Sequence, residues 1–187
     1  MVYSLIGDIV DSKKIADREK VQKELEETLQ FVNLKYSTEM IKELSVTLGD
    51  EFQGIFNCFD HVLEIIHVIM IRLELIQIRF GIGIGELQFD FGTKYSPYRS
   101  DGSAWWYSRE SVESIHDLNE KNKIIKYSNI RISSNNQKSD KILNTILDLC
   151  YTIKTSWSVK QKTLIYQTIL EYGFKNDYKY SNLAADN

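Results

Sequence analysis

The sequence of 187 residues has few of the residues that break or cross-link a chain, with one proline and two cysteines. A single proline gives no sign of a long structureless linker. Cys58 and Cys150 lie in apolar surroundings and show no metal-binding or redox spacing. We therefore expect two buried, reduced thiols and a cytoplasmic location.

The sequence also lacks an excess of positive charge. Its formal net charge is −3, whereas binding to a nucleic-acid backbone needs a clustered cationic face. The few C-terminal lysines do not supply such a face, so we expect no specific DNA binding by this chain. The hydrophobic content of 43% and the charged content of 26% are typical of a globular protein.

No run of residues is apolar enough to span a membrane. The most apolar stretch, 62–84, contains Glu64, His67 and Arg72, whereas a spanning helix needs about 20 predominantly apolar residues. The apolar start of the chain meets Asp8 too soon to be a signal peptide. We expect no membrane association, and predict a buried helix and a buried strand within 62–84.

Hydrophobic periodicity predicts an α+β fold with the element order β-α-β-β-α-β. The predicted strands cover residues 2–10, 43–48, 52–56 and 78–85, and the predicted helices cover 17–36 and 60–76. This is the order of the ferredoxin-like fold, an antiparallel sheet with helices on one face. Right-handed crossovers then place the end of the first strand and the tip of the hairpin at one sheet edge. Asp8 and Asp50 should therefore be neighbours.

The sequence of the second half of the chain predicts further strands and helices. The strands cover 86–92 and 124–133, and the helices cover 103–119, 141–153 and 158–172. Within the helix over 103–119, one ring of the pair Trp105 and Trp106 should pack inward and the other should reach the surface. The alternating glycines of the strand over 78–85 favour close backbone or helix packing, or curvature, over a phosphate loop.

Two acidic turns at one sheet edge predict a metal site. Carboxylates are hard oxygen ligands, and Mg²⁺ commonly takes one or two of them together with substrate phosphates. Glu51 could add a third oxygen or point away. Residues 9–12 lead toward a helix whose predicted cap is Asp11 or Ser12, and a helix N-terminus favours phosphate. The alternative is that Asp8 and Asp50 are only turn and cap residues.

Three motifs carry a resemblance to known families. Gly7 to Ser12 reads Gly-Asp-Ile-Val-Asp-Ser, Thr47 to Gly54 reads Thr-Leu-Gly-Asp-Glu-Phe-Gln-Gly, and Arg79 to Gly85 reads Arg-Phe-Gly-Ile-Gly-Ile-Gly. In this order they resemble the SatD family over essentially the whole chain. Over about residues 1 to 120 they resemble the palm domain of class III nucleotide cyclases, and the hairpin is also similar to that of diguanylate cyclases (the GGDEF type).

The resemblance implies a palm site for two divalent ions, Mg²⁺ or Mn²⁺, and a nucleoside triphosphate or other nucleotide. Asp8, Asp50 and the Ile9 carbonyl would hold the metal, and the amides of Val10, Asp11 and Ser12 would face the phosphates.

The helix over 103–119 completes the resemblance. Arg109 matches the phosphate-contacting arginine of cyclases, and the resemblance gives it a catalytic role. Trp105 stands where cyclases have an asparagine, and Val46 where they have the base-reading lysine. Neither can make those hydrogen bonds; Trp105 could instead serve as a platform for a base or a subunit interface. In such proteins the aspartates and the arginine come from different subunits, which implies a homodimer.

The C-terminal helices resemble the entry to a helix-turn-helix, and Tyr180 to Asp186 resembles the start of its second helix. We thus predict a palm domain over 1–134 and a helical segment over 135–187. Three functions remain open: a metal-dependent nucleotidyl- or phosphoryl-transfer enzyme such as a cyclase, a non-catalytic nucleotide-sensing regulator whose C-terminal helices contact DNA or a protein, and a palm kept only for dimerisation.

Overall fold

The computed structural model describes residues 1–47, 49–121 and 127–175. They form a mixed sheet with helices on both faces. In chain order the strands are β1 (Val2–Ile9), β2 (Met40–Val46), β3 (Glu51–Phe56), β4 (Ile78–Gly85), β5 (Phe89–Asp90), β6 (Ser100–Asp101) and β7 (Ile130–Ser133). The α-helices are α1 (Arg18–Lys35), α2 (Val62–Arg72), α3 (Ser103–Lys121), α4 (Gln137–Thr155) and α5 (Val159–Tyr172), and a 3-10 helix covers Ser12–Lys14.

The main sheet has five strands in the order β2-β3-β1-β4-β7. Strand β1 pairs antiparallel with β3 on one side and with β4 on the other, and β2 pairs antiparallel with β3. The order β2-β3-β1-β4 is that of the ferredoxin-like fold, which confirms the predicted fold class. Strand β7 extends the sheet by pairing parallel with β4.

One face of the sheet carries the main hydrophobic core. Side chains alternate along a strand, and Leu5 and Ile9 of β1 point to the same side as Phe80 and Ile82 of β4. Helices α1 and α2 cover this side, where Leu25 and Ile65 are fully buried. The two helices of the ferredoxin-like core therefore lie on one face, as predicted.

Helix α3 covers the opposite face, which the sequence did not specify. Ile6 of β1 and Ile55 of β3 form a smaller apolar cluster with Trp105 and Val112 of α3. The helix approaches β4 very closely, because a Cβ atom on Gly83 would collide with backbone atoms of α3. The predicted role of these glycines in close helix packing is thus confirmed.

The C-terminal helices pack against the rest of the chain. On α4, the Asn144 side chain bonds to the backbone N–H and C=O of Ile132 in β7. Ile169 of α5 joins the main core, and the Phe174 N–H donates to Glu64 of α2. The predicted second helix of a helix-turn-helix, from residue 180 onward, lies outside the described residues.

Several predicted boundaries need correction. The predicted strand over 86–92 is reduced to the two residues of β5, which pair only with β6. Phe89 and Phe91 are exposed, and among the described residues neither is paired with a strand of the main sheet, whose edge strands are β2 and β7. Strand β7 begins at Ile130 rather than at residue 124. The predicted end of β2 at Leu48 and the predicted strand residues 124–126 lie outside the described part of the chain.

Two further predictions concern the burial of the two cysteines and the presence of a membrane-spanning helix. Cys58 is half-buried and Cys150 is exposed on α4, so the expectation of two buried thiols is wrong. The reason is that α4 leaves part of its apolar surface in solvent, including Ile146 and Leu149. Within the described ranges, no helix is long and apolar enough to cross a membrane.

Candidate functional site

The candidate site lies where β1 ends beside the turn between β2 and β3. The Ile9 N–H donates to the Asp50 carbonyl at 3.0 Å, and Asp8 lies opposite Glu51 in the strand register. Gly49 makes the turn with a positive φ of 74°, a conformation that glycine adopts without steric cost. The fold therefore brings Asp8 and Asp50, distant in sequence, to one sheet edge.

Asp8 is held by a cation from the next strand. The Arg79 Nη1 donates to Asp8 Oδ2 at 2.8 Å, and the two residues are register partners on β1 and β4. Burial raises the pKa of Asp8 above its usual value, Arg79 opposes this shift, and the carboxylates of Asp50 and Glu51 add to it. Arg79 thus offsets only in part the effects that raise the pKa of Asp8.

Asp50 is positioned by a hydroxyl group. The buried Ser12 side chain donates its Oγ–H to Asp50 Oδ2 at 2.6 Å. This hydrogen bond fixes one oxygen of the carboxylate and leaves Oδ1 free to meet another donor or a cation. Ser12, which was predicted to act through its amide, has a role through its hydroxyl group.

The other predicted phosphate contacts do not have the expected geometry. The Val10 N–H donates to the Gln77 carbonyl at 2.9 Å and is therefore already used by the backbone. Asp11 adopts a left-handed conformation with φ of 54°, and its exposed side chain pairs with Lys14. The loop enters only a three-residue 3-10 helix, and Asp17 caps α1. The predicted helix N-terminus next to this loop is thus absent from the described structure.

Glu51 faces α3 rather than a shared metal position. Its side chain is only 7% exposed and forms a two-point ion pair with Arg109, whose Nη2 lies 2.8 Å from Oε1. Burial alone would raise the pKa of Glu51, but hydrogen bonds from Arg109 and Gln53 lower it below the usual value. Glu51 is therefore an ionised partner of Arg109 within one chain, a pairing that the sequence did not predict.

The tryptophan pair behaves as predicted, with one ring inside and one outside. Trp105 packs in the small cluster under α3 and donates from Nε1 to Ser100 Oγ at 3.2 Å. Trp106 is 53% exposed. Trp105 is thus buried within the chain, and Trp106 is the ring of the pair that reaches the surface. Val46 lies at the end of β2, paired with Phe52 of β3.

The donor set suits a hard cation only in part. Asp8 and Asp50 each offer a carboxylate, and such oxygens are what Mg²⁺ and Mn²⁺ bind. Among residues 1–47, 49–121 and 127–175, no group of three or more histidine, cysteine, aspartate or glutamate side chains is arranged to hold a metal ion. A cation at Asp8 and Asp50 would therefore need backbone carbonyl oxygens, water or substrate phosphates to complete its coordination.

Arg79 is the site residue that the sequence analysis missed. It is the first residue of the motif from Arg79 to Gly85, which predicted no role for its charge. The strand order makes β1 and β4 antiparallel neighbours, but only their register places Arg79 directly opposite Asp8, where opposite charges stabilise a sheet.

Comparisons with solved structures find nucleotide cyclase domains. A bacterial light-regulated adenylyl cyclase is 12% identical, over 58% of this chain and 69% of that chain, with a TM-score of 0.38. The guanylate cyclase domain of RhGC from Catenaria anguillulae in complex with GTP is 13% identical, over 59% and 71%, with a TM-score of 0.33. The adenylyl cyclase CyaB from P. aeruginosa is 14% identical, over 59% and 70%, with a TM-score of 0.34.

No curated protein matches the chain at a significant level. The sequence model of a protein family, in contrast, matches almost every residue of the chain. The match covers residues 2–187, and it agrees with the resemblance carried by the three motifs of the palm. The chain belongs to the SatD family.

Proposed function

We propose that this protein binds a nucleotide together with Mg²⁺ or Mn²⁺ at the edge formed by Asp8 and Asp50. The observation that carries the proposal is that Asp8 and Asp50 meet at one sheet edge. Burial raises the pKa of Asp8 there, and the nearby carboxylates of Asp50 and Glu51 add to the rise. Such an arrangement costs free energy unless a cation or a proton compensates it. A divalent ion bound there would neutralise the carboxylates and polarise phosphoryl oxygens.

The residues around the two aspartates have positioning roles in this proposal. Ser12 holds Asp50 through its hydroxyl group, and Arg79 orients Asp8. Both contacts use the Oδ2 atom of the carboxylate, so Oδ1 of each aspartate remains to bind a cation. The Ile9 carbonyl, at the end of β1, is the further ligand that we propose.

A non-catalytic regulator is the second candidate, and one observation favours it. Arg109, to which the resemblance gives a catalytic role at the phosphates, is paired with Glu51 in the same chain. A nucleotide phosphate would have to share this guanidinium with the buried Glu51 carboxylate or displace that carboxylate. If the protein is an enzyme, nucleotide binding breaks the ion pair between Glu51 and Arg109, and Arg109 then contacts the phosphates. If it is a regulator, the ion pair persists and the nucleotide is bound without turnover.

The metal part of the proposal is tested with Mn²⁺, whose free ion is measured directly by electron paramagnetic resonance. We expect Asp50→Asn to weaken Mn²⁺ binding by at least tenfold relative to the unmodified chain. Asp60→Asn, at an exposed turn before α2, is the matched control and should bind as the unmodified chain does. Equal binding by all three proteins would sink the metal site.

The catalytic question needs a separate measurement. The protein is incubated with ATP or GTP and Mn²⁺, and the products are separated by chromatography. A product that disappears with Asp50→Asn supports a nucleotidyl- or phosphoryl-transfer enzyme. Nucleotide binding without product supports the regulator.

The assembly and location are also part of the proposal. We propose a homodimer that buries the Trp106 ring, a cytoplasmic location, a boundary between palm and helical segment near residue 134, and no specific DNA binding by this chain. Light scattering with and without nucleotide tests the dimer. A duplex-binding assay at physiological salt tests the last point, since tight sequence-dependent binding would show that the C-terminal helices form a complete helix-turn-helix.

A further inference from the structure

A cavity of about 480 Å³ lies between the sheet and the C-terminal helices. Its walls come from the start of β4, the region around the end of α2, and the facing sides of α4 and α5. Its volume falls in the range of small-molecule sites, about 300–1,000 Å³. It shares Val10 and Arg79 with the candidate site but contains neither Asp8 nor Asp50, so it is distinct from the acidic edge.

The charged groups in the wall are mostly cations. Arg79, Lys154 and Lys162 line the cavity, and Glu74 is its one acidic residue among the described part of the chain. Glu74 is already paired with Lys162. The cavity therefore has a positive excess although the whole protein is acidic.

Lys154 is the cation without a counter-charge. Its Nζ has only a 3.9 Å contact with the Met70 sulfur, and no carboxylate of the described residues lies within ion-pair distance. Burial and the nearby Lys162 lower the pKa of Lys154. A partly buried ammonium group without a partner is costly to maintain, and an anion in the cavity would remove that cost.

Arg79 offers a second unused donor. Its Nη1 binds Asp8, but its Nε is shielded from solvent and has no hydrogen-bond partner among the described residues. Buried donors are nearly always paired in folded proteins. An anion reaching this wall of the cavity could accept from both Arg79 and Lys154.

Aromatic rings supply the rest of the lining. Tyr127, Tyr151 and Tyr166 contribute from three different segments, and the Lys162 ammonium group lies 5.2 Å from the centre of the Tyr166 ring. Tyrosine combines a flat apolar surface with a hydroxyl group, a combination suited to a planar ring that carries polar atoms. The site thus has a cationic part and an aromatic part.

We propose that this cavity is a metal-independent binding site for a phosphorylated small molecule with a planar ring, of the nucleoside monophosphate class. The phosphate binds Lys154 and Arg79, and the ring packs among the tyrosines. The site joins the sheet to α4 and α5, so its ligand would contact both parts of the chain. This proposal does not depend on metal or nucleotide binding at Asp8 and Asp50.

The test is isothermal titration calorimetry of the full chain in the presence of EDTA. The probes are AMP, GMP, adenosine and inorganic phosphate. We expect AMP or GMP to bind at least tenfold more tightly than either adenosine or phosphate, because only the monophosphates engage both parts of the site. Lys154→Met should weaken that binding at least tenfold.

Two control proteins distinguish binding in this cavity from binding elsewhere on the chain. Lys141→Met makes the same change at an exposed position on α4, outside the cavity, and should bind like the unmodified chain. Asp50→Asn should also bind normally in EDTA, so a failure of the metal proposal leaves this result unaffected. Lys154→Met should melt at a temperature no lower than the unmodified chain, because it removes a partly buried unpaired charge.

The outcomes that overturn the proposal are equally specific. Absence of AMP and GMP binding to the unmodified chain overturns it, and so does equal binding by the Lys154→Met protein. An equal loss with Lys141→Met would show non-specific attraction to lysines. Inorganic phosphate that binds as tightly as AMP would overturn the assignment of an aromatic ligand.

Discussion

The two faces of the central sheet differ in kind. Under α1 and α2 the sheet contributes Leu5, Phe52 and Phe80 to a large, continuous apolar core. Under α3 the same strands present glycines, a small apolar cluster and the charged residues Asp8 and Glu51. Because side chains alternate along a strand, β1 serves both faces with neighbouring residues.

This contrast shows how the fold separates stability from chemistry. The apolar face provides the burial that holds the sheet together, at about 25 cal/mol per Å² of apolar surface. The other face can then carry like charges at its edge. Substitutions on the two faces should therefore have different consequences, and four predictions test this.

The largest effect is expected for Phe52→Ala on the apolar face. Phe52 is fully buried and packs edge-on against Phe80, with ring centres 6.2 Å apart. Loss of such a ring leaves a cavity and should lower the free energy of unfolding by about 3–5 kcal/mol. Urea denaturation measures it, with Phe91→Ala, 71% exposed, as a control that should change stability by under about 0.5 kcal/mol. A cost below about 1 kcal/mol for Phe52→Ala would contradict the importance of this face.

The second prediction concerns a titratable group in the α2 layer. Burial lowers the pKa of His67 to about 4, and its ring packs against Phe174 with 5.1 Å between ring centres. Below pH 6.5, the ordinary pKa of about 6.5 for histidine means that His67 binds a proton in the unfolded chain but not in the folded chain. Stability contributed by neutral His67 is therefore present above about pH 6.5 and is lost as the pH falls toward 4.

The size of that loss is about 3 kcal/mol at most, since one pKa unit corresponds to about 1.4 kcal/mol. It is measured as the difference in unfolding free energy between the unmodified chain and His67→Leu as a function of pH. The difference should be constant above pH 7.5 and should change in favour of His67→Leu between pH 6.5 and 4. A constant difference throughout would mean that His67 is protonated freely in the folded chain.

The third prediction addresses packing on the α3 face. In Gly83→Ala the new Cβ would meet the carbonyl oxygen of Ala104 and the N–H of Ser108, both backbone atoms that cannot rotate away. We expect a loss of about 1–3 kcal/mol, typical of overpacking. Tryptophan fluorescence of the native state should also change, because Trp105 and Trp106 come directly after Ala104 on α3. An unchanged spectrum and stability would show that α3 can move without cost.

The smallest effect is expected for Arg109→Met. It leaves Glu51 buried without its cation, but Arg109 is 40% exposed, so water can compensate and the loss should be about 1–2 kcal/mol. A double-mutant cycle with Glu51→Gln isolates the coupling. Lys121→Met, at an exposed position on α3, is the control. Unchanged stability combined with lost nucleotide binding would instead assign Arg109 to the ligand.

The sequence predicted the local elements well where the hydrophobic period is strong. Strand β4 was predicted with its observed bounds, and α1, α3 and α5 to within two residues at each end. The first strand and the hairpin were sufficient to bring Asp8 and Asp50 to one edge. The short pair β5 and β6 was missed, because strands of two residues leave almost no periodic signal.

The sequence predicted which strand ends form the site, but not the side-chain contacts or the loop conformation there. Asp8 and Asp50 follow from element order, but the loop at Val10 and Asp11 was expected to lead directly into α1 and does not. A run of apolar and polar residues does not show that a 3-10 turn precedes the helix, because both begin with the same capping residue types. The metal, the dimer and the domain boundary stay predictions.

What the sequence by itself determined is the order of the strands and helices, and through it the meeting of two acidic turns. That information is local, since each element depends on a period within a dozen or so residues. Only the tertiary structure decided that Arg109 binds Glu51, that Arg79 binds Asp8, and that Trp105 rather than Trp106 is buried. The two ion pairs join residues 58 and 71 positions apart, and they depend on how closely α3 and β4 approach β1 and β3, which no local pattern encodes.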